Sequence, residues 1–502
     1  MYWFGHLFDA PDELMLMNCQ CTATLLILIL PISVATADWP QWRGPDRNGY
    51  VATGELIQSL PKAGLAAKWQ FDSFAGGTSG GWSSPVMSDG RVYLFSHTKT
   101  KNPGADIEKA LYPWLPPEKR AGMSDEEYQA YEVKRRDENE ERSMAFRFDE
   151  RLVCLELETG DVVWDRSIES TYTRFVQSGT PCVSNGRIFV LGAERTARCY
   201  DSETGTVLWQ TRLPGDFRDE FFASSFTVAS KMAFVACGPL VALNVMDGAV
   251  VWQGDANLDY QSHSSPAIWR TGDVDVVIAN TSGGRTQAYQ VADGRKLWEI
   301  NAGVGQSTPI VVGNRLLLYG SSRKSGLTAF QLDSQAVEKL PSRQWQFQRA
   351  ADSGSTPVVR GDAVFVQGEK RLAKVRLLDG DTEWQTTLKI SNPRYTSLIA
   401  AGNQVFFGWE GLLAFQAEGD RFEKIYEAKI DSDRRLIGTE DLREKLQGNQ
   451  AGSDSEGAGK AEERWQKNAV ATGPLACSTP AISGGLMVLR LRNAVVCYDL
   501  RK

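Results

Sequence analysis

Five copies of one short pattern recur along the chain: an acidic residue, one residue or none, a glycine, three more residues and a tryptophan. The tryptophan always lies four positions after the glycine. The copies occupy 158–164, 203–209, 247–252, 293–298 and 379–384. Self-similarity with a period of roughly 40 residues indicates repeated supersecondary units. Each copy predicts a strand, a tight turn in which glycine supplies a positive φ, and a second strand that carries the tryptophan.

A second landmark, a small polar residue followed by proline and an apolar strand, accompanies these hairpins. It occurs at 84–85, 180–181, 265–266, 308–309, 356–357 and 479–480. Two further copies, 224–238 and 396–409, lack the proline. The complete unit contains four strands, which is one blade of a β-propeller. The sequence therefore predicts an all-β fold, an eight-bladed β-propeller of four-stranded blades.

The two ends of the chain predict how the ring closes. The eighth unit ends at its third strand, 495–500, whereas the segment 66–71 contains Trp69 without earlier strands of its own. We expect residues 66–71 to complete the eighth blade, because closure removes the exposed sheet edges of an open ring. Equivalent positions then hold an aromatic residue in every blade, interpreted as packing between blades and not as a cofactor site. These residues are Trp69, Trp164, Trp209, Trp252, Trp298, Trp345, Trp384 and Tyr426.

The first 37 residues are interpreted as a signal peptide, with an N-terminal extension at 38–65 and the propeller at 66–502. The apolar run 24–34 is too short to span a membrane and precedes Ala35-Thr36-Ala37, a small-x-small cleavage pattern. An uncleaved membrane anchor is the alternative. We expect an exported protein, periplasmic or extracellular. Cleavage would change the net charge from −7 to −4, and no basic stripe favours nucleic acid as a partner.

Cysteine usage favours buried thiols over a disulfide framework. Six cysteines follow the signal region. Cys154, Cys199 and Cys497 occupy one slot of the repeat in which other blades place alanine. Cysteine is interpreted there as a small buried hydrophobic residue. A bridge that involves Cys237 or Cys477 stays open as an alternative.

Two partly helical insertions, 97–148 and 431–472, interrupt the repeat. Ser124 and Glu127 have the spacing of a capping box and predict a charged helix in the first insertion. The stretch 439–446 predicts a short helix in the second. Because neighbouring strands of a blade run in opposite directions, both insertions are expected on one face, with only short turns on the other. Loop growth on one face is typical of the binding face of a repeat protein.

The innermost strand of each blade begins on that same face, so the residues just before it surround the mouth of the central channel. Three positions before each proline, or its equivalent, the ring contains Trp82, Ser178, Ser224, His263, Gln306, Gly354, Tyr395 and Cys477. The candidate residues for binding a ligand or partner are Trp82, Arg174, Ser178, Glu220, Asp259, His263, Gln306, Asp352, Arg394 and Tyr395. A mixed polar and aromatic ring suits a small polar ligand or a peptide. The alternative is the lining of a water-filled tunnel.

The repeat resembles that of the pyrroloquinoline-quinone (PQQ) propeller family. The resemblance covers about 66–502 and rests on motifs such as SSPVMSDGRVYLFS (83–96), CYDSETGTVLWQ (199–210) and AYQVADGRKLWE (288–299). The opening ADWPQWRGPDRNGY (37–50) is similar to the mature N-terminus of exported bacterial members. Eight-bladed members of the family include quinoprotein alcohol and glucose dehydrogenases. They also include the non-catalytic scaffold subunit of the outer-membrane β-barrel assembly machinery.

The resemblance thus implies two kinds of function. The dehydrogenases bind PQQ beside a pair of adjacent cysteines, with calcium held by carboxylate and amide side chains. This chain has no adjacent cysteines, no C-x-x-C-H haem motif and no histidines at metal-ligand spacing. We therefore assign no catalytic residue, no metal site and no cofactor.

We expect a monomeric scaffold that binds a protein or peptide in the cell envelope on its insertion-bearing face. We expect contact with a membrane only through partners or through an uncleaved anchor. One alternative is a PQQ- or sugar-binding oxidoreductase with a divergent active site. Another is a structural module without a ligand.

Overall fold

The computed structural model describes residues 38–215, 222–255, 263–391, 393, 395–447, 463, 465 and 473–502. The predicted signal peptide lies outside these residues. Within them, no helix combines the length and the apolar character that crossing a bilayer requires.

Eight sheets form the eight predicted blades, seven of four antiparallel strands and one extended to six strands. Blade 1 contains Val86–Ser88, Arg91–Lys101, Phe146–Glu156 and Val162–Ser170. Blade 2 contains Cys182–Ser184, Arg187–Leu191, Thr196–Asp201 and Val207–Arg212, with a 3-10 turn at Ala193–Arg195. Blade 3 contains Thr227–Ala229, Met232–Ala236, Leu240–Asn244 and Val250–Gln253. Blade 4 contains Ala267–Arg270, Asp275–Asn280, Arg285–Gln290 and Lys296–Asn301.

The other four blades follow the same order from the channel outwards. Blade 5 contains Ile310–Val312, Arg315–Tyr319, Leu327–Gln331 and Ser342–Phe347. Blade 6 contains Val358–Arg360, Ala363–Gly368, Arg371–Arg376 and Thr382–Thr387. Blade 7 contains Ile399–Ala401, Gln404–Phe407, Leu412–Gln416 and Lys424–Ile430, extended by Tyr50–Val51 (β1) inside and Leu436–Gly438 outside. Blade 8 contains Ala481–Ser483, Leu486–Arg490, Ala494–Asp499 and, outermost, Trp69–Asp72 (β2).

The predicted closure of the ring is confirmed. Strand β2 pairs antiparallel with the last strand of the chain, in the register that places Trp69 opposite Cys497. Strand β2 therefore supplies the missing fourth strand of blade 8, so that an early strand of the chain and its last strand share one sheet.

Each repeated tryptophan makes the joint to the next blade. The indole Nε1 of Trp252, for example, donates to the carbonyl of Val291 in blade 4 at 2.9 Å. The ring lies over the repeat glycine of that blade, where a Cβ on Gly294 would stand 2.6 Å from the indole. The same pair of contacts joins Trp69 to Gly160, Trp164 to Gly205, Trp209 to Gly248 and Trp345 to Gly380. Glycine is therefore required at this position for two reasons. The backbone has a positive φ, +72° at Gly294, as predicted, and the neighbouring tryptophan occupies the space that a Cβ would need.

A second ring of hydrogen bonds lies close to the channel. Between seven of the eight pairs of neighbouring blades, the hydroxyl residue before the proline, or at the equivalent position, accepts the backbone N–H of its counterpart in the preceding blade. Distances are 2.9–3.1 Å from Ser84 to Thr180, Thr180 to Ser225, Ser225 to Ser265, Ser265 to Thr308, Thr308 to Thr356, Thr356 to Ser397 and Thr479 to Ser84. This network explains why the proline landmark begins with serine or threonine.

Both insertions emerge on the face where the innermost strands begin. The first connects the second and third strands of blade 1 and contains helices Pro117–Arg120 (α1) and Asp125–Ser143 (α2). Ser124 and Glu127 form the predicted capping box at the start of α2. The second follows the fourth strand of blade 7 and contains helix Thr439–Gln447 (α3).

The opposite face carries more than the short turns we expected, because the N-terminal extension lies across the end of the channel there. Trp39 pairs with Met87 of blade 1, and the Pro40 carbonyl accepts from Val183 of blade 2. Strand β1 then pairs parallel with the innermost strand of blade 7. This segment, residues 38–51, closes one end of the channel and is called the plug below.

Two fully buried arginines anchor the plug. The Arg43 guanidinium donates to the carbonyls of Leu398, at 2.8 Å, and of Pro357. The Arg47 guanidinium donates to the carbonyl of Phe226 and, at 2.9 Å, to Oε1 of Gln41. Burial lowers the pKa of Arg43 to about 9 and that of Arg47 to about 10. Both side chains satisfy carbonyl groups at the inner ends of blades, which other residues of the plug do not reach.

The cysteine slot is confirmed for the three predicted residues. Cys154, Cys199 and Cys497 are unbridged and fully buried, and each lies opposite a blade tryptophan. Ala242 and Ala288 hold the equivalent positions opposite Trp252 and Trp298. Blade 6 departs from the pattern with Lys374, whose ammonium group reaches Glu383 at 2.8 Å.

The contact between Trp252 and Gly294 predicts that a methyl group at this glycine lowers stability. Gly294→Ala forces a Cβ against Trp252 at a positive φ, whereas in the control variant, Gly313→Ala, the Cβ meets open space at a φ of +55°. The control is expected to cost about 1 kcal/mol of unfolding free energy from backbone strain alone. Gly294→Ala is expected to cost about 1–3 kcal/mol more, from overpacking. Denaturant unfolding of both variants measures the difference, and equal costs would contradict the joint.

The burial of Cys154, Cys199 and Cys497 at their position in the repeat predicts that their thiols are chemically inert. Burial raises the pKa of Cys154 and of Cys497 to about 12, and that of Cys199 to about 11. Since the thiolate is the reactive form, the native protein should leave all three unmodified by a thiol reagent at pH 8, and react fully in denaturant. Peptide mass mapping after native labelling checks this. Rapid native labelling of any of the three contradicts the assignment.

Candidate binding site at the channel mouth

The channel is a pocket with a floor, open on the insertion-bearing face. Trp42 of the plug forms the floor, and the cavity above it has a volume of about 390 Å³. Four further aromatic rings line it: Trp82, Phe175, His263 and Tyr395. The rest of the described lining is small, namely Ser178, Thr180, Ala223, Ser225, Ser265, Gly354 and Cys477. The geometry suits an apolar or aromatic group whose edges meet hydroxyls.

Trp82 is held in place by a buried arginine. Arg490 donates to the carbonyls of Ala75 and Gly80 at 2.7 and 2.8 Å, and to that of Ser83 at 2.7 Å. These bonds fix the loop that leads from β2 into blade 1. The Trp82 N–H donates to Oγ of Ser178 at 3.0 Å, which ties the loop to blade 2. Burial lowers the pKa of Arg490 to about 9.

His263 and Tyr395 approach each other from blades 4 and 7, with ring centroids 5.6 Å apart and planes inclined by 34°. Tyr395 has a positive φ of +60°, and its ring covers Gly354, where a Cβ would stand 2.1 Å away. The backbone N–H of His263 donates to Oε1 of Gln306 at 3.0 Å. Burial lowers the pKa of the His263 imidazole, against a smaller opposing effect of a side-chain hydrogen bond with Gln306. The pair narrows the pocket from two sides.

Asp352 organises the turn beneath Tyr395. Its Oδ1 accepts the N–H groups of Gly354 at 2.9 Å, Ser355 at 2.6 Å and Tyr395 at 3.3 Å. The side chain is buried, so these bonds position Tyr395 and leave this oxygen little capacity for a ligand. Burial and then the charge of Asp352 raise the pKa of Cys477 to about 11, which keeps that thiol protonated in the pocket wall.

The predicted site residues divide into four groups. Trp82, Ser178, His263 and Tyr395 line the pocket, while Gln306 and Asp352 position the residues that do. Arg174 lies in a neighbouring groove and not in the pocket. The predicted residues Glu220, Asp259 and Arg394 lie outside the described residues.

Sequence reasoning missed two rings of the pocket. Trp42 belongs to the plug, 40 positions before Trp82, and Phe175 lies three positions before Ser178. The signal for Phe175 was present in its proximity to the ring of mouth residues. For Trp42 the available signal was the sequence 41–49, whose two arginines flank Gly44 and Pro45 and indicate a compact turn.

The described lining does not fit PQQ. This quinone carries several carboxylates, which need cations or many donors, and no arginine or lysine is among the described residues of the wall. No group of three or more histidine, cysteine, aspartate or glutamate side chains with metal-binding geometry occurs in the described part of the chain. The residues present therefore offer a neutral, aromatic pocket.

The chain shares sequence with envelope assembly factors. A family model described as "Outer membrane protein assembly factor BamB" matches residues 148–338 and 302–441, together more than half of the chain. A BamB from Shewanella oneidensis is 27% identical over 270 residues, 49% of this chain and 65% of that protein. A BamB from Yersinia pestis is 23% identical over 244 residues, 44% of this chain and 60% of that protein. The chain thus spans less than two thirds of the length of these curated relatives.

A solved enzyme structure shares the fold. A europium-containing methanol dehydrogenase superposes with a TM-score of 0.54 at 11% identity, covering 92% of this chain and 98% of that one. Similarity at this level of identity shows the propeller fold alone.

The buried histidines predict a pH dependence. Burial lowers the pKa of His97, whose Nδ1 accepts the Gln177 N–H at 2.9 Å, and that of His263. Both are neutral in the folded protein near pH 7. As the pH falls below about 6.5, the unfolded chain binds protons that the folded chain excludes, so the free energy of unfolding decreases until the folded pKa is passed.

Histidine-selective NMR measures this directly, because the chain has only three histidines. We expect two imidazoles to titrate below 6.5, and His97→Gln and His263→Gln to remove one resonance each. Titration of either residue at or above 6.5 contradicts the burial of its neutral form.

Proposed function

We propose, from the premise that the chain belongs to the family described as outer membrane protein assembly factor BamB, that it is a non-catalytic scaffold for outer membrane assembly. On this proposal the protein is exported to the periplasm. It binds a protein or peptide partner on its insertion-bearing face, with the channel pocket as the centre of the contact. The matched family, residues 148–338 and 302–441, supports the assembly role.

One observation carries the choice of face: among the described residues, the plug lies across one end of the channel, whereas the aromatic pocket above Trp42 opens at the other end. The plug is held in place through hydrogen bonds to blades 1, 2, 3, 6 and 7. At the open end, Trp82, His263 and Tyr395 are only partly buried, and Phe175 is 49% exposed. Aromatic side chains in a partly desolvated concavity are the residues that dominate binding energy at protein interfaces. A side chain of the partner inserted between them would bury apolar area without requiring any charge pair.

We further propose that the pocket takes no quinone cofactor. The neutral described lining supports this, as do the missing adjacent cysteines. Incubation of the purified protein with PQQ and calcium, then gel filtration, is the test. Quinone absorbance that coelutes with the protein, together with dye reduction by alcohols or sugars, would favour the oxidoreductase alternative.

The assembly role is tested by deletion and complementation in the organism that encodes the chain. Deletion should lower the amounts of outer membrane β-barrel proteins, and the intact gene should restore them. His263→Ala with Tyr395→Ala should fail to restore them although the variant accumulates as a folded protein, because the pocket loses two of its rings. The matched control, Glu203→Ala with Asp293→Asn, alters exposed turns of the plugged face and should restore the wild-type amounts.

Two outcomes would sink the proposal. The first is unchanged amounts of outer membrane β-barrel proteins after deletion. The second is full complementation by the His263 and Tyr395 double variant at normal protein levels.

A further inference from the structure

A second concavity lies beside the channel mouth, between helix α2 and the extended second and third strands of blade 1. Its volume is about 540 Å³. Among the described residues, four basic side chains line it, Lys99, Arg135, Arg142 and Arg174, and no acidic side chain does. The whole chain has a net charge of −7, so this cluster of positive charge is opposite in sign to the protein as a whole. We call this concavity the basic groove.

Two of the four cations, Arg135 and Arg174, share one carboxylate, that of Glu132. Arg135 forms a bidentate pair with Glu132, with N···O distances of 3.0 and 2.6 Å. Arg174 lies 3.9 Å from the same carboxylate, too far for a hydrogen bond. One buried carboxylate thus serves two guanidinium groups, which leaves positive charge on the wall of the groove.

The other two cations face each other. Lys99 and Arg142 form no ion pair with the described residues. The acidic residue one helical turn before Arg142 is Glu138, whose oxygens accept the N–H groups of Leu111 and Tyr112. Burial and the charge of Arg142 both lower the pKa of Lys99. A half-buried lysine beside an arginine is a cost to the folded chain that an incoming anion would relieve.

The groove also presents aromatic surface. The Lys99 ammonium lies 4.1 Å from the centroid of the Phe146 ring, and Trp114 is 57% exposed at the rim. Phe175 lines both the groove and the channel pocket, so the two concavities are neighbours that share this ring as a wall. A ligand that fills both must therefore combine carboxylates with apolar groups along one narrow chain.

We infer that the basic groove binds an acidic segment of a polypeptide partner, whose carboxylates meet Lys99 and Arg142 while a neighbouring apolar side chain enters the channel pocket. Arginine and lysine bind carboxylates through charge-assisted hydrogen bonds, and the aromatic walls bind the apolar residues in between. The inference deepens the proposed function and rests on it for the choice of a protein partner. It adds the chemistry by which that partner is recognised.

A synthetic probe tests the inference on the full chain. It is a fluorescein-labelled peptide of about eight residues, roughly 26 Å long when extended, in which glutamate and leucine alternate. Peptides with glutamine or lysine in place of glutamate are the ligand controls. Fluorescence anisotropy should report saturable binding of the glutamate peptide alone. Binding should weaken as the ionic strength approaches about 1 M, where charges are screened within about 3 Å.

The variant pair is Lys99→Gln with Arg142→Gln, against Arg343→Gln with Arg421→Gln on exposed positions elsewhere. Both remove two positive charges, so a general electrostatic attraction would weaken equally in both. We expect the groove variant to bind at least about tenfold more weakly, and the control to stay within about twofold of the wild type. Thermal unfolding checks that both variants fold. If the groove variant does not fold, Arg142→Gln alone, which lies on the surface of α2, is used instead.

Equal losses in both variants, or equal binding of the glutamine peptide, would overturn the inference. So would binding to phosphatidylglycerol vesicles that depends on Lys99 and Arg142 while the peptide fails to bind, because the groove would then recognise lipid. A negative result for the groove can be told apart from a negative result for the proposed function. Complementation by the His263 and Tyr395 variant tests the function without any change in the groove.

Discussion

The contact between a tryptophan and the glycine turn of the next blade, made at five of the eight joints, is the interaction on which the rest of the structure depends. It sets the distance and the angle between neighbouring sheets, and repetition around the ring fixes the width of the channel. Where the next blade has no glycine at that position, the joint changes. Among the described residues, the indole Nε1 of Trp298 and of Trp384 and the hydroxyl of Tyr426 have no hydrogen-bond partner. Trp384 instead packs edge-on against Phe415 and Phe422, so apolar contact replaces the hydrogen bond.

Ring closure and channel closure are performed by one segment of the chain. Residues 38–51 plug the channel and β2 completes blade 8, so the N-terminal region touches both the centre and the rim of the disc. The plug carries the cost of burying Arg43 and Arg47, which is offset by hydrogen bonds to carbonyls that end the inner strands. The functional consequence is an asymmetric disc. The plugged face presents hairpin turns, and the open face presents an aromatic pocket, both insertions and the basic groove.

Much of this architecture could be predicted from the repeat. The five glycine and tryptophan copies, the proline landmarks and the orphan Trp69 predicted the eight blades and their closure, because each residue has a local role that recurs. The position three before each proline predicted Trp82, Ser178, His263 and Tyr395 at the mouth for the same reason. The capping box of Ser124 and Glu127 could be predicted because its two residues lie only three positions apart in the sequence.

The features that could not be predicted all depend on contacts between distant parts of the chain. Nothing in the sequence around Trp42 indicates that it lies beneath residues of blades 3, 4 and 7. The sequence predicted Asp352 as a candidate ligand-binding residue, but its carboxylate accepts hydrogen bonds from three backbone N–H groups. The basic groove joins Lys99 of a strand, Arg142 of α2 and Arg174 of a loop, which no single pattern connects. Such sites become visible only when the topology has placed the insertion over the blade.

The central claim is that the partner meets the open, insertion-bearing face. Its most direct test is photocrosslinking in living cells with p-benzoylphenylalanine at Phe175, on the open face, and at Met246, on the plugged face. Both side chains are exposed, by 49% and 62%. We expect an adduct with an outer membrane assembly component from position 175 and none from position 246. Adducts from position 246 alone would contradict the central claim.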